Sequence, residues 1–238
     1  TISNCTFQDN TATNYGGALY LVEDVTISNT LFNHNTADDG GAIYADGNGI
    51  IINSTFQNNT ANNGGAIYSD NKVNITNYYT NDEGVTHIFF SDGKGTITNS
   101  TFQNNNATNG GAIYSDGDVT VSNSIFKNNP VNLNGGAIYS KIKGTITNST
   151  FQNNNANKYG GAIYWEDSNC SVINCTFTNC NNSVDNKAIS KAGSDIIIEN
   201  CTYDSFNITI NNIVYGDDTF IINITNATAG DGTLLNGT

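Results

Sequence analysis

Short apolar–polar alternations recur along this chain, separated by clusters of Asn and Gly. One unit shows the register best: Gly95-Thr-Ile-Thr-Asn-Ser-Thr-Phe102-Gln-Asn-Asn-Asn-Ala-Thr-Asn-Gly110-Gly-Ala-Ile-Tyr114-Ser-Asp-Gly117. Alternation with a period of two predicts strands whose successive side chains point to opposite faces. Ile27, Ile97, Ile146 and Ile173 alternate with polar neighbours and are expected to point inward. The Phe that follows is also expected inside, stacked one coil above the next. The second strand of each unit is Gly-Gly-Ala-Ile-Tyr or a close variant, found at Gly16–Tyr20, Gly40–Tyr44, Gly64–Tyr68, Gly110–Tyr114, Gly135–Tyr139 and Gly160–Tyr164.

The repeat has a fixed length. An aromatic recurs at Phe7, Phe32, Phe56, Tyr79, Phe102, Phe126, Phe151, Phe177 and Tyr203, at intervals of about 23–26 residues. A period of roughly 20–50 residues is the mark of a solenoid. The leucine ladder of leucine-rich repeats is absent, and β-branched residues with Asn and Gly suit helical repeats poorly. Short strands joined by Asn and Gly turns fit a parallel β-helix. The expected fold is therefore all-β: a right-handed, single-stranded parallel β-helix of about nine coils over residues 1–215. Residues 216–238 are read as a terminal strand or cap, or as the start of a following Ig-like module.

Three coils depart from the pattern. Thr86-His87-Ile88-Phe89-Phe90, Asn186-Lys187-Ala188-Ile189-Ser190 and Asn211-Asn212-Ile213-Val214-Tyr215 occupy the Gly-Gly slot. Two Asn columns flank the aromatic. One lies three residues before it (Asn4, Asn29, Asn53, Asn99, Asn123, Asn148, Asn174, Asn200) and one three after it (Asn10, Asn35, Asn59, Asn105, Asn129, Asn154). Asn tolerates left-handed turns, and its amide can bond the same amide one coil away. The double glycine implies a turn closed to side chains or a close approach of backbones.

Composition narrows the function. There are 8 Lys+Arg against 21 Asp+Glu, a formal net charge of −13, so nucleic acid is not an expected partner. The basic residues are all lysine, which removes the bidentate fork suited to phosphate and carboxylate. No apolar run approaches the ~20 residues of a bilayer span, so no membrane span is expected in this segment.

Paired Gly-Gly-Ala-Ile and Phe-x-x-Asn motifs resemble the repeats of chlamydial polymorphic outer-membrane proteins. They also resemble adhesin-like surface proteins of methanogenic archaea, whose composition is similarly rich in Asn and Thr. The resemblance covers roughly residues 1–215 and implies a right-handed parallel β-helix, surface display and a role in adhesion. It says nothing about chemistry, because these motifs are structural.

Candidate chemistry is sparse. Asp38-Asp39, Asp82-Glu83 and Asp217-Asp218 are the acidic pairs a hydrolase would need, but they read as solvated turn residues. Asp46, Asp70, Asp92 and Asp116 stand two residues after the aromatic of the Gly-Gly strand, with Glu166 later in the chain. Stacked carboxylates attract Ca²⁺, so these are the calcium candidates, with a solvated Ser-Asp-Gly turn as the preferred account. No other cofactor is expected. His34 and His87 lack partners at metal-ligand spacing. Of five cysteines, Cys175 and Cys201 share a column with the distant Cys5, and Cys170 with Cys180 is the other candidate disulfide pair.

The candidate partner surface is a tyrosine column: Tyr20, Tyr44, Tyr68, Tyr114, Tyr139 and Tyr164, with Phe90 as an interruption and Trp165 as an extension. If the neighbouring Ile faces the core, the stripe faces out and suits stacking on sugars or packing on a partner. If Ala and Tyr face in, the stripe vanishes. Among Asn-x-Ser/Thr sequons, Asn53, Asn99, Asn148 and Asn174 are expected to be buried and unmodified, leaving Asn207 and Asn226 as glycosylation candidates. The leading expectation is a non-enzymatic extracellular, cell-surface adhesin segment: a rigid stalk whose lateral face meets a cell-surface glycan or protein. The alternatives are a fibre subunit that self-associates head to tail and a carbohydrate-active enzyme.

Overall fold

Strands of two to four residues pair with the equivalent strands of the next repeat, in parallel and in register. The computed structural model describes residues 1–77, 88–90, 94–167, 170–184, 187–192, 196–203 and 222–223. Three faces wrap one core. The first, the Ile sheet, has ten strands in chain order, among them Val25–Ser28, Gly49–Ile52, Val73–Thr76, Gly95–Thr98, Val119–Ser122 and Gly144–Thr147. The second, the Phe sheet, has a three-stranded part from Thr6–Gln8 to Thr55–Gln57 and a five-stranded part from Thr101–Gln103 to Thr202–Tyr203. The third, the Tyr sheet, has eight strands from Leu19–Leu21 to Ile189–Lys191. Among the described residues every strand pairing is parallel, as Ile75↔Ile97 and Phe102↔Phe126 illustrate. This is a parallel β-helix.

The core follows from stacking. Phe7, Phe32 and Phe56 form one file with ring centroids 5.1 and 4.7 Å apart. Phe102, Phe126, Phe151, Phe177 and Tyr203 continue it at 4.8–5.0 Å, with ring planes within 10° of parallel. These distances are the inter-strand spacing itself, about 4.8 Å. Ile27, Ile97 and Ile146 are fully buried, as expected. Ile173 is not inward: it pairs with Thr147, and Val172 takes the core position opposite Ile146. The inward column lies five residues before the Phe, and Ile173 is one residue out of that phase.

The first strand position alternates in size: Val25, Gly49, Val73, Gly95, Val119, Gly144. A Cβ on Gly49 would lie 3.3 Å from a Val73 methyl, so each Val packs into space its Gly neighbour leaves.

Both glycines of the pair are structural, for different reasons. Gly40 has φ +66°, the left-handed region that glycine enters without steric cost. Gly41 has an ordinary φ, but a Cβ there would sit 2.2 Å from the carbonyl oxygen of Gly65 on the next coil. The turn and the close approach occur together.

The two Asn columns also divide their tasks. The column three residues before the aromatic makes a corner at φ near +50° (Asn53 +48°, Asn99 +51°, Asn148 +48°, Asn174 +54°), with exposed side chains. The expectation that Asn53, Asn99, Asn148 and Asn174 are buried is therefore wrong: the left-handed corner turns the side chain outward. The column three residues after the aromatic is the buried ladder. Asn35, Asn59, Asn105, Asn129 and Asn154 are 0 % exposed. Asn129 is typical. Its Nδ2 donates to Asn154 Oδ1 (2.8 Å) and to the Phe102 carbonyl (3.2 Å). Its Oδ1 accepts from the backbone N–H of Asn105 (3.0 Å) and from Asn105 Nδ2 (2.9 Å). Two donor hydrogens and two lone pairs are all used, which is what burial of an amide demands.

Of the terminal segment 216–238, only Ile222–Asn223 is described; it pairs in parallel with Ile198–Glu199. Among the described residues, no helix is long and apolar enough to cross a membrane.

Candidate functional site

On the Tyr sheet, alternation decides which side chain leaves the core. Ile43, Ile67, Ile113, Ile138 and Ile163 are buried, so the residue after each projects outward. The tyrosines consequently form an outward column, in register as Tyr20↔Tyr44↔Tyr68 and Tyr114↔Tyr139↔Tyr164. Exposure falls from 53 % at Tyr20, through partial burial at Tyr44, Tyr68, Tyr114 and Tyr164, to 5 % at Tyr139.

The rings do not lie flat on the surface. Tyr44 and Tyr68 are 4.9 Å apart at 7°, Tyr114 and Tyr139 4.8 Å at 19°, and Tyr139 and Tyr164 5.5 Å at 20°. Within these pairs the facing ring surfaces cover each other, so there the column offers edges and hydroxyls to the outside. Sugar stacking needs an open ring face, which a ring inside the file does not have.

Two further tyrosines join the column. Tyr15 lies 4.7 Å from Tyr44, and Tyr159 lies 6.1 Å from Tyr164. Both directly precede a Gly-Gly pair, where most coils have Asn or Asp. A Tyr in that position is the sequence signal for these two rings.

Carboxylates are tied to the same column. The Tyr44 hydroxyl donates to Asp70 on the following coil, and the Tyr139 hydroxyl to Glu166. Asp116 pairs with Lys141 at 2.9 Å, and the Lys141 ammonium lies 5.5 Å from the Tyr114 ring centroid. Burial first, and then the acceptor carboxylate, push the phenols of Tyr44 and Tyr139 well above their usual range. Lys141 is raised by its bonds to Tyr114 and Asp116. Asp46 is exposed at the column's edge, and Asp92 lies outside the described residues. The calcium candidates thus sit one per coil, with Asp70 and Asp116 engaged by Tyr44 and Lys141. Among the described residues, no three His, Cys, Asp or Glu side chains group as metal ligands.

Two assignments change. Phe89, not Phe90, holds the tyrosine register: Phe89 pairs with Tyr68 and Tyr114, and Phe90 with Ser69 and Ser115. Trp165 does not extend the surface; it is 0 % exposed. It follows Tyr164 by one residue, so alternation returns it to the face of Ile163, where other coils place buried Ser69, Ser115 and Ser140. The indole fills the space over Gly144, whose added Cβ would meet Trp165 Nε1 at 2.9 Å. That Nε1 is buried without a hydrogen-bond partner.

The other candidates are dispersed. Asp38 and Asp39 accept from Asn62 and Asn63 of the next coil. His34 is an exposed left-handed corner residue. Asp82, Glu83, His87, Asn207, Tyr215, Asp217, Asp218 and Asn226 lie outside the described residues. Cys170 and Cys180 occupy different columns: Cys170 begins a strand of the Ile sheet, whereas Cys180 takes the rung beyond Asn154 in the amide ladder, accepting from its Nδ2 at 3.7 Å. They are not a stacked pair. Cys175 and Cys201 do share a column, in which Thr30, Ser54, Ser100, Ser124 and Ser149 precede them, each donating to the carbonyl two residues back. All five cysteines are thiols in this structure. Burial raises Cys170 to about 11. A side-chain hydrogen bond with Cys201, and then burial, raise Cys175.

A family model described as "Right handed beta helix region" matches residues 1–138 and 86–232. No curated protein and no solved structure matches the chain.

Proposed function

We propose that this chain, which belongs to the right-handed β-helix family, serves as a non-enzymatic, extracellular cell-surface segment: a stiff stalk that meets its partner along the tyrosine face. One observation carries the reading. The outward tyrosines form two in-register runs, one on each side of Phe89, in which the hydroxyls of Tyr44 and Tyr139 are anchored by Asp70 and Glu166. Such a face is pre-organised, so docking on it costs little side-chain entropy. Because the stacked pairs close their facing surfaces, the ligand is gripped there by ring edges and phenol hydroxyls. The Tyr44 and Tyr139 hydroxyls have already given their hydrogen to Asp70 and Glu166, so they are left to accept, and a protein or glycan surface offering hydrogen-bond donors suits that face.

Binding to intact cells and to a glycan array tests this. Tyr20→Ser and Tyr68→Ser should each weaken capture about tenfold, while Thr96→Ala and Thr120→Ala on the Ile sheet should leave it unchanged. Equal binding by all four variants refutes the tyrosine face. Release of oligosaccharide from a polysaccharide panel would favour the enzyme reading instead.

A further inference from the structure

The tyrosine file has a chemical property that its binding role does not use. We propose that it is a one-electron oxidation site at which Tyr44 and Tyr68 become joined by a carbon–carbon bond, stapling two neighbouring coils. The pair is in register, its rings are 4.9 Å apart and 7° from parallel, and both residues reach solvent. The Tyr44 hydroxyl already donates to Asp70, so a base is in place for the proton that a phenol loses when an electron leaves.

Each phenol gives one electron to a haem peroxidase charged by hydrogen peroxide, and one proton to Asp70 or water. The two phenoxyl radicals couple through ring carbons ortho to oxygen. Each coupled carbon then loses its hydrogen as a proton while the phenoxyl oxygen regains one. Two phenols and one peroxide yield one dityrosine and two waters.

Other rungs are less suited. Tyr139 is nearly closed to an external oxidant. Tyr114 lies under the Lys141 cation, which opposes loss of an electron. Tyr15 and Tyr20 are tilted against Tyr44 by 49° and 42°. Phe89 holds the rung after Tyr68 and brings no phenol.

The test uses the full chain, dilute, with haem peroxidase and limiting hydrogen peroxide. Dityrosine emission is followed, and peptides are mapped by mass after cleavage at aspartate, which separates Tyr44 from Tyr68. A Tyr44–Tyr68 cross-linked peptide in monomeric protein is the expected result. Tyr44→Phe and Tyr68→Phe should each abolish that peptide while keeping the ring stack and the circular dichroism. Asp70→Asn should slow its formation several-fold. The proposal is overturned if oxidation marks only Tyr15 and Tyr20, or if the cross-links disappear on dilution and therefore join separate chains.

Discussion

Replacing Asn129 removes one rung of the buried amide ladder, and the structure says what that costs. With Ala at 129, the backbone N–H of Asn105 and one hydrogen of its amide lose their acceptor. The Phe102 carbonyl and one lone pair of Asn154 lose a donor. A buried, unsatisfied polar group costs about 1–3 kcal/mol, so the two orphaned N–H groups alone predict a loss of roughly 2–6 kcal/mol. Asn129→Asp is nearly isosteric but turns two donors into acceptors facing the oxygens of Phe102 and Asn154. At neutral pH it should be the worse variant. Its carboxyl is expected to hold its proton more tightly in the folded state than in the unfolded state. The folded variant therefore gains stability as pH falls and loses it as pH rises from about 4. Urea unfolding followed by circular dichroism and by fluorescence of Trp165, the single Trp, measures both. Both probes are needed, since stacked coils need not unfold as one unit. A loss below about 1 kcal/mol for Asn129→Ala, or a flat pH profile for Asn129→Asp, would refute the claim that the ladder holds the coils together through fully satisfied amides.

Three further predictions follow from the same geometry. Phe126→Ala, in the middle of the ring file, should cost about 3–5 kcal/mol in urea unfolding, against under ~1 kcal/mol for removal of the exposed Ile125 side chain. Gly144→Ala should destabilise the parent chain because its Cβ meets the Trp165 indole, and should cost less in a Trp165→Ser background, which a double-mutant cycle reads directly. Since the phenols of Tyr44 and Tyr139 are raised, the stability they add is fully present below about pH 10 and is lost as pH climbs toward their folded values. Alkaline spectrophotometric titration should show tyrosines ionising late, moving back toward the ordinary range in Asp70→Asn.

The repeat alone determined the parallel β-helix, the inward Phe file, the doubled glycine and the opposite facing of Ile and Tyr on the Gly-Gly strand. Each of these depends only on a period of two within a strand and a constant interval between coils, and both are visible in a linear string. Trp165 was legible by the same parity, since it shares a face with Ile163. Other features depend on what lies one coil away and on how each corner bends. The two Asn columns look alike in sequence, yet one is an exposed left-handed corner and the other a buried ladder, because backbone torsion decides which way an amide points. Likewise, the sequence left open whether Ile or Tyr faces the core; only the stacked fold buries the Ile, closes the rings of neighbouring tyrosines against one another and takes up Asp70 and Glu166 as acceptors. Those contacts join residues 26 and 27 positions apart, set by a stacking distance that the chain acquires only when it folds.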